Sequence, residues 1–550
     1  MATTARPVSQ RKSQFLIAAR QPGPALQAMN IQPLAYAAIE QALRNSPDID
    51  IVDSVGPRQV LDTMSTSSNA APGVLVARMT EQKAGILHQQ AQGRLVVERD
   101  QHLVLHDSRQ FQPALVTPVV PTSGPMFNVA ISVLAPDGSP VPNADVYVFG
   151  AMLPATASTD ANGQATLSLF GETAGSISAL YIKPRCDYWS YYQRSPDLSP
   201  DDMNVVTLRP IANWPALPNF PGQACYGWGQ KAMRLDQLPQ NYRGQGVRVA
   251  IIDSGAATTH LDLKSIHAGF DIINKKTNPQ GWTEDSLGHG SHCAGIIAGS
   301  DAAFGIRGFA PDAEIHACKL FPGGQISQLI DALEYCIDQQ IDVVNLSLGG
   351  ADVSEALEQQ IVRARRAGVA CIVAAGNSGG PVQYPASSPN VLAVSAIGKL
   401  NEFPADSYHT ETLTPFVDVN GFFAAKFSCY GPQIGVCAPG VAIVSSVPSN
   451  NFAVWDGTSM AAPHVTGLAA LVLAHHPDFQ GPYKARSAER VERLFQIIKL
   501  SARPINVGDP TRTGLGLPDT LAAVGLQPMA GQAAGMLPMA LSFGLAPGFW

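Results

Sequence analysis

The sequence of 550 residues carries little charge: Asp, Glu, Lys and Arg make up only 14% of it, and the formal balance is −7. A chain so sparsely charged, with acids ahead of bases, lacks the basic surface of an electrostatic nucleic-acid binder. It has no run of 18 or more apolar residues, so no segment reads as a transmembrane helix. The first twenty residues, MATTARPVSQRKSQFLIAAR, hold bases but no apolar h-region, so no ordinary secretory signal is visible. Acids are missing before Glu40, as in transit peptides, but QFLIAAR reads better as the first strand of a domain. Location stays open between the cell interior and export by a non-standard route. Cysteine is scarce too, with eight between Cys186 and Cys437 and none in paired short spacings. That excludes a small disulfide-stapled framework and makes free thiols the default; Cys186 and Cys225 stand apart, a pair for an exported protein to join.

What is present divides the chain into successive stretches. After an extension of residues 1–12, residues 13–107 alternate strand and helix patterns: QFLIAAR, LAYAAIEQALRNS, DIDIVDSV, GVLVARM, EQKAGILHQQAQG and RLVVERDQHLVL. The order β-α-β-β-α-β predicts a ferredoxin-like α+β unit. A Pro-rich linker, 108–126, follows. Residues 127–209 alternate apolar and polar positions, broken by Asp137-Gly138, Pro142-Asn143 and Asn162-Gly163, which predicts a small β-sandwich. Residues 210–525 hold near-continuous apolar runs, VRVAIID, EIHACKLF, DVVNLSL, VACIVAAG and NVLAVSAI, with helical patterns between them. Such runs imply strands covered on both faces, hence an α/β fold with a mainly parallel sheet and a site at its carboxyl ends. The uncharged tail 526–550 contains three prolines, too broken to span a membrane; it either packs, addresses export or hangs free.

Three places carry candidate chemistry. Asp253 closes the apolar run VRVAIID, where a carboxylate is costly without a partner. In SLGHGSHCAG a helix would set His289, His292 and Cys293 on one face, either as metal ligands or as one base with two packing neighbours. Ser459 opens an Ala-rich helix in GTSMAAPHVTGLAALVLAHH; such a serine is usually a cap, yet a helix N-terminus also offers donors to a developing oxyanion.

Together, in the order Asp, His, Ser, these stretches resemble the subtilisin-like serine peptidases, the subtilases. AIIDSG, GHGSHCAG and GTSMAAPH match the three signature blocks, and NLSLGG and VAAGNSG add two more in family order over roughly residues 225–525. The resemblance implies a subtilisin-like three-layer α/β fold and a serine endopeptidase working through an acyl-enzyme. Ser459 would be the nucleophile, His289 the general base and Asp253 its orienting carboxylate. Asn377 and the backbone N–H of Ser459 would form the oxyanion hole. Ser347, Leu348, Gly349 and Gly350 would pair with the substrate backbone and line the S1 pocket, with Gln383 making its floor shallow.

His292 then becomes a packed neighbour, and Cys293 resembles the cysteine that proteinase-K-like members place under the histidine. Zinc is not expected, since the HExxH glutamate and a nearby third ligand are missing. No cofactor is required. Asp262 and GSDAAFGIRGFAP stand where many members form a calcium loop, but Ala302 replaces an expected asparagine, which leaves only a carbonyl-built structural calcium around Asp262. The N-terminal unit resembles subtilase propeptides, an internal folding assistant and inhibitor whose removal would cut near His106 to Gln110. The β-sandwich resembles transthyretin-like or carboxypeptidase-regulatory modules. Partners would be polypeptide substrates and the propeptide. The competing reading is a catalytically silent subtilase-fold scaffold that binds through its β-sandwich.

Overall fold

Alternation along the first strand decides how the N-terminal part of the chain packs. In the computed structural model, which describes residues 11–21, 34–56, 73–106, 126–151, 154–299, 303–350 and 352–528, β1 (Ser13–Ala19), α1 (Tyr36–Arg44), β2 (Asp50–Val55), β3 (Val74–Met79), α2 (Glu81–Gln90) and β4 (Leu95–Arg99) follow in that order. The strands form an antiparallel sheet in the order β2-β3-β1-β4. Phe15, Ile17 and Ala19 meet Ile39, Leu43 and Ala84 from the two helices. Leu16 and Ala18, on the opposite face, join the core of the large C-terminal unit. The sheet is thus covered by its own helices on one side and by the rest of the chain on the other. Beyond it lies β5 (Val104–Leu105), which belongs to a different sheet.

Seven strands follow: β6 (Met126–Leu134), β7 (Asp145–Phe149), β8 (Ala155–Ser158), β9 (Gln164–Phe170), β10 (Ala179–Lys183), β11 (Tyr191–Arg194) and β12 (Met203–Thr207). They pair as two sheets, β11-β10-β7-β8 and β12-β6-β9. Their inward residues, among them Val129, Ile131, Val146, Val148, Leu167 and Ile182, share one apolar cluster.

The large unit contains β13 (Arg248–Asp253), β14 (Ile266–Asp271), α3 (His289–Ala298), β15 (Glu314–Lys319), α4 (Ile326–Asp338), β16 (Val343–Leu346), β17 (Leu348–Gly349), α5 (Glu355–Arg366), β18 (Ala370–Ala374), β19 (Leu392–Lys399), β20 (Leu413–Val417), β21 (Phe422–Ala425), β22 (Ile434–Pro439), β23 (Ile443–Val447), β24 (Asn451–Trp455), α6 (Thr458–His475) and α7 (Ala488–Ser501). Its main sheet runs β14-β15-β13-β16-β18-β19-β21-β20, with β22 also on β19. The pairs from β14 to β19 and β22 are parallel; β21 and β20 close one edge antiparallel. The apolar runs are continuous because both faces are covered. Val249 and Ile251 of β13 pack with Ile296 of α3, Leu468 of α6 and Ile498 of α7, whereas Ala250 and Ile252 pack with Leu329 of α4 and Ile361 of α5. These are the three layers of an α/β fold.

Helix α6 is buried from Thr458 to Leu473, without a polar face, as suits a helix through the middle of a core. Among the described residues no helix is long and apolar enough to cross a membrane. All eight cysteines are free thiols, Cys186 and Cys225 included.

Both smaller units dock through specific polar contacts. Glu98 accepts from the N-terminus of α5, through Ser354 Oγ, Glu355 N (3.0 Å) and Ala356 N (3.3 Å). Asp100 does the same at α4, accepting from Ser327 N at 3.0 Å and Ser327 Oγ at 2.6 Å. Two carboxylates of the N-terminal unit therefore cap two helices of the large one, where unpaired N–H groups and the helix dipole favour negative charge. The β-sandwich grips β24: Asp187 N donates to Phe452 O at 2.7 Å and Phe452 N returns a bond to Asp187 Oδ1 at 3.0 Å. Tyr181 packs its ring 4.5 Å from that of Tyr408, and Arg209 pairs with Asp406 at 2.8 Å.

Candidate active site

Asp253 ends β13 at the carboxyl edge of the sheet, and His289 is the first residue of α3. His289 Nδ1 lies 2.8 Å and 2.9 Å from the two Asp253 oxygens, and both side chains are fully buried. Two glycines make this approach possible. Gly288 turns the chain into α3 at φ 73°, a left-handed conformation that disfavours side chains. A Cβ on Gly290 would run into the carbonyl of Gly255 just after Asp253. Burial opposes a charge on the imidazole, but the adjoining carboxylate and the Cys293 thiol outweigh it and hold the His289 pKa well above its usual value. With Nδ1 bonded to the carboxylate, the buried Nε2 makes no hydrogen bond among the described residues.

Ser459 is the second residue of α6, and Pro463 sits one turn later in the same helix. Proline has no N–H to give the carbonyl four residues back, so the Ser459 carbonyl is left open. It accepts instead from Ser347 Oγ at 3.1 Å and from Cys293 Sγ at 3.5 Å. The broken helical bond thus ties the serine's backbone to α3 and to the residue before β17. Asn377 is fixed from its other end: its Oδ1 accepts from Thr458 N at 2.9 Å and Thr458 Oγ1 at 2.8 Å.

The chain itself occupies the cleft between these groups. Residues 101–106 run antiparallel between two segments of the large unit. On one side Ile326 N donates to Gln101 O (3.0 Å) and Leu103 N to Gly324 O (2.9 Å). On the other, Leu105 and Val104 pair with Leu348 and Gly349, and His106 N donates to Ser347 O at 3.2 Å. The carbonyl oxygen of His106 then receives both Ser459 Oγ and Asn377 Nδ2, each at 2.7 Å. A hydroxyl, an amide donor and a peptide carbonyl converge there, within a buried cluster that also holds the Asp253–His289 pair. The His106 ring is buried, and a Cβ on Gly349 would lie 2.5 Å from its Nε2. Burial, helped by nearby His289, lowers its pKa to about 4, so it sits there uncharged at neutral pH.

A model of the subtilase family, peptidase S8, matches residues 244–507. The subtilisin of Bacillus pumilus is 37% identical over 246 residues, 43% of this chain and 80% of that protein. Subtilisin DY of Bacillus licheniformis is 35% identical over 305 residues, 54% of this chain and 97% of that protein. The chain belongs to the subtilase family. Subtilisin NAT of Bacillus subtilis subsp. natto is 37% identical over 246 residues, and the matched part spans only 58% of its length.

In this subtilase, Asp253, His289, Ser459, Asn377, Ser347, Leu348 and Gly349 come together around His106. Gly350 follows at the cleft edge, its N–H on Tyr384 O at 2.8 Å. Gln383 stands behind Gly376: its Oε1 is 2.5 Å from where a Cβ on that glycine would be. His292 takes the packing role, with Nε2 on Ile443 O (3.1 Å) and Ala453 O (3.3 Å) and its ring stacked 4.5 Å from Trp455. Burial and nearby His289 lower its pKa to about 3.

One ligand-type atom each from Asp253, His289 and Cys293 lies within 4.8 Å of the others, a third partner that the local sequence does not reveal. A thiol must ionise to bind a metal, and burial, with Asp253 adding to it, raises the Cys293 pKa. The trio is therefore a hydrogen-bonded pair resting on a neutral thiol. A mercurial should inhibit the enzyme by swelling this packed position, and Cys293→Ala should retain activity and lose that inhibition, as a peptidase assay with and without mercurial will read.

Asp262 lies in a separate cluster, accepting from Ile306 N at 2.9 Å and Ser446 Oγ at 3.1 Å, and burial raises its pKa to about 7. Both bonds reach Oδ2, while Oδ1 is buried without a hydrogen-bond partner among the described residues; calcium takes six to eight oxygen ligands, and Ala302 falls outside the described residues. A carbonyl-built calcium around Asp262 stays a proposal, and it predicts that chelator lowers the melting temperature in a thermal scan.

Sequence reasoning missed Asp285. Its Oδ1 accepts from Ser254 Oγ (2.7 Å) and Gly288 N (2.8 Å), and its Oδ2 from Ser291 N (2.9 Å) and Ser291 Oγ (2.7 Å). The buried carboxylate thereby binds the residue after Asp253 to the start of the His289 helix. An Asp four residues before the histidine, amid Ser and Gly, was the available signal: it is an N-terminal capping pattern.

Proposed function

We propose that this subtilase is a serine endopeptidase made as a zymogen that cuts itself after His106. The observation that carries the reading is the His106 carbonyl, held by Ser459 Oγ and Asn377 Nδ2 at 2.7 Å each, beside a buried imidazole bonded to Asp253. In the reaction Ser459 Oγ attacks the carbonyl carbon and gives its proton to His289 Nε2. The developing oxyanion takes hydrogen bonds from Asn377 and the Ser459 N–H, and Asp253 stabilises the imidazolium. His289 then protonates the departing amine of Asp107, leaving an acyl-enzyme that water hydrolyses. Polypeptide substrates enter as 101–106 does, adding a strand between the segments at 324–326 and 347–349. Gly349 leaves room for the S1 side chain, and Gln383 limits the depth of that pocket.

The ferredoxin-like unit of residues 13–107 is the propeptide in this reading. Its carboxylates at two helix N-termini support that role, because they hold it to the enzyme after the bond is cut. The parallel sheet it leans on has non-local contacts and folds slowly unaided. Each cap contributes about 1 kcal/mol, so removing both should loosen the product complex about thirtyfold. Glu98→Ala/Asp100→Ala should therefore shorten the lag between self-cleavage and full activity, followed with a chromogenic substrate. The β-sandwich of residues 127–209 stays with the mature enzyme.

A fluorophosphonate probe tests the proposal. Covalent labelling of the processed protein, abolished in Ser459→Ala, supports the peptidase; an unlabelled wild-type chain would point to the silent scaffold.

A further inference from the structure

A substrate that continues beyond a bond held where the His106 carbonyl lies has to leave the cleft past Ser459 and His289, away from the strands that pair with 101–106. A groove of about 560 Å³ adjoins that point. It is lined by Gly288, which immediately precedes His289, and by Trp455, four residues before Ser459, whose ring stacks 6.3 Å from that of His289. No residue of 324–326 or 347–349 lines it, so it lies on the leaving-group side of the scissile bond. Its opposite wall is the β-sandwich, through Asp145, Lys183 and Arg185. The reciprocal bonds between Asp187 and Phe452 fix that wall directly to β24, the strand that leads to the nucleophile.

The charges in the groove are unequal in reach. Asp285 is committed to Ser254, Gly288 and Ser291, and Asp145 accepts from Ser158 Oγ at 2.6 Å. Arg185, by contrast, is exposed at the rim. The first residue beyond His106 in the chain's own junction is an acid, Asp107.

From this we infer that the β-sandwich forms the leaving-side half of the substrate cleft, where Arg185 selects polypeptides with an acidic residue just after the cut bond. The inference rests on the peptidase reading. It gives the sandwich a part in substrate choice, and it makes specificity depend on both sides of the scissile bond.

The test uses the self-processed full chain and three substrates that share one sequence ending in histidine. One is a p-nitroanilide with nothing beyond the cut bond; two are quenched fluorescent peptides continuing with Asp or with Lys. For the wild type, kcat/KM for the Asp peptide should exceed that for the Lys peptide. Arg185→Glu should lower the Asp-to-Lys ratio about tenfold, the size of a rim charge pair reversed, and Arg185→Lys should largely restore it. A ratio unmoved by Arg185→Glu, or a change that appears equally with the anilide, overturns the inference while leaving the peptidase reading intact. Failure of the wild type to hydrolyse all three overturns that reading and the inference together.

Discussion

Ser459→Ala should leave the full-length chain uncut, as one band of 58.0 kDa, where the proposed self-cleavage would separate the wild type into the segment ending at His106 and the remainder. The hydroxyl is the group that would form the new bond to the His106 carbonyl carbon, and its neighbours cannot substitute. Cys293 is a buried thiol whose Sγ contacts the Ser459 carbonyl, and burial raises its pKa. With the oxyanion donors and the segment 101–106 still in place, residual catalysis is confined to positioning. Loss of the nucleophile in such a triad costs about a millionfold in rate, so no cleavage should appear on a laboratory timescale. The variant should keep its fold, because the apolar packing of α6, the Thr458–Asn377 bonds and the bonds to the Ser459 carbonyl do not use the hydroxyl. Dilution of the wild type tests whether the cut is made within one chain: a rate independent of concentration belongs to the arrangement seen here, whereas efficient cutting of Ser459→Ala by added processed wild type would point to cleavage between chains.

Asn377→Ala should lower kcat by about 10²–10³ with a small change in KM. The side-chain amide is held rigidly by two bonds from Thr458, so it meets the developing charge without reorganising. Removing it takes one of two oxyanion donors and leaves the strand pairing with Ser347 and Gly349 intact. A change confined to KM would move Asn377 from oxyanion support to ground-state binding. Self-processing should slow in proportion, so the uncut chain accumulates and then converts.

The large fold was readable because its signals are local and redundant. Continuous apolar runs such as VRVAIID can be satisfied only by a sheet covered on both faces, and the blocks around Asp253, His289, Asn377 and Ser459 lie at strand or helix ends. The metal question was not readable in the same way. His289, His292 and Cys293 are close in sequence, but the partner that decides the chemistry, Asp253, arrives from β13 through the parallel crossover. The segment 101–106 was visible as a strand, and only the resemblance to subtilase propeptides put its end near a cut, because strand patterning says nothing about which edge it joins. The carboxylates Glu98 and Asp100 looked like ordinary surface acids; only docking reveals that they sit over the ends of α4 and α5. The wall that the β-sandwich gives the cleft arises from the placement of whole units, which periodicity within each unit does not encode.

Helix α6 carries the proposed nucleophile through the middle of the core, with Thr458 to Leu473 all buried. Its amides can reach solvent only when the layers on both sides separate, so their hydrogen exchange should track global unfolding rather than local fraying. The reactive serine is thus anchored in the slowest-opening part of the molecule. A chain built this way does not offer the segment around Ser459 as a partly open substrate to neighbouring copies, and on heating the proposed activity should end when the fold ends.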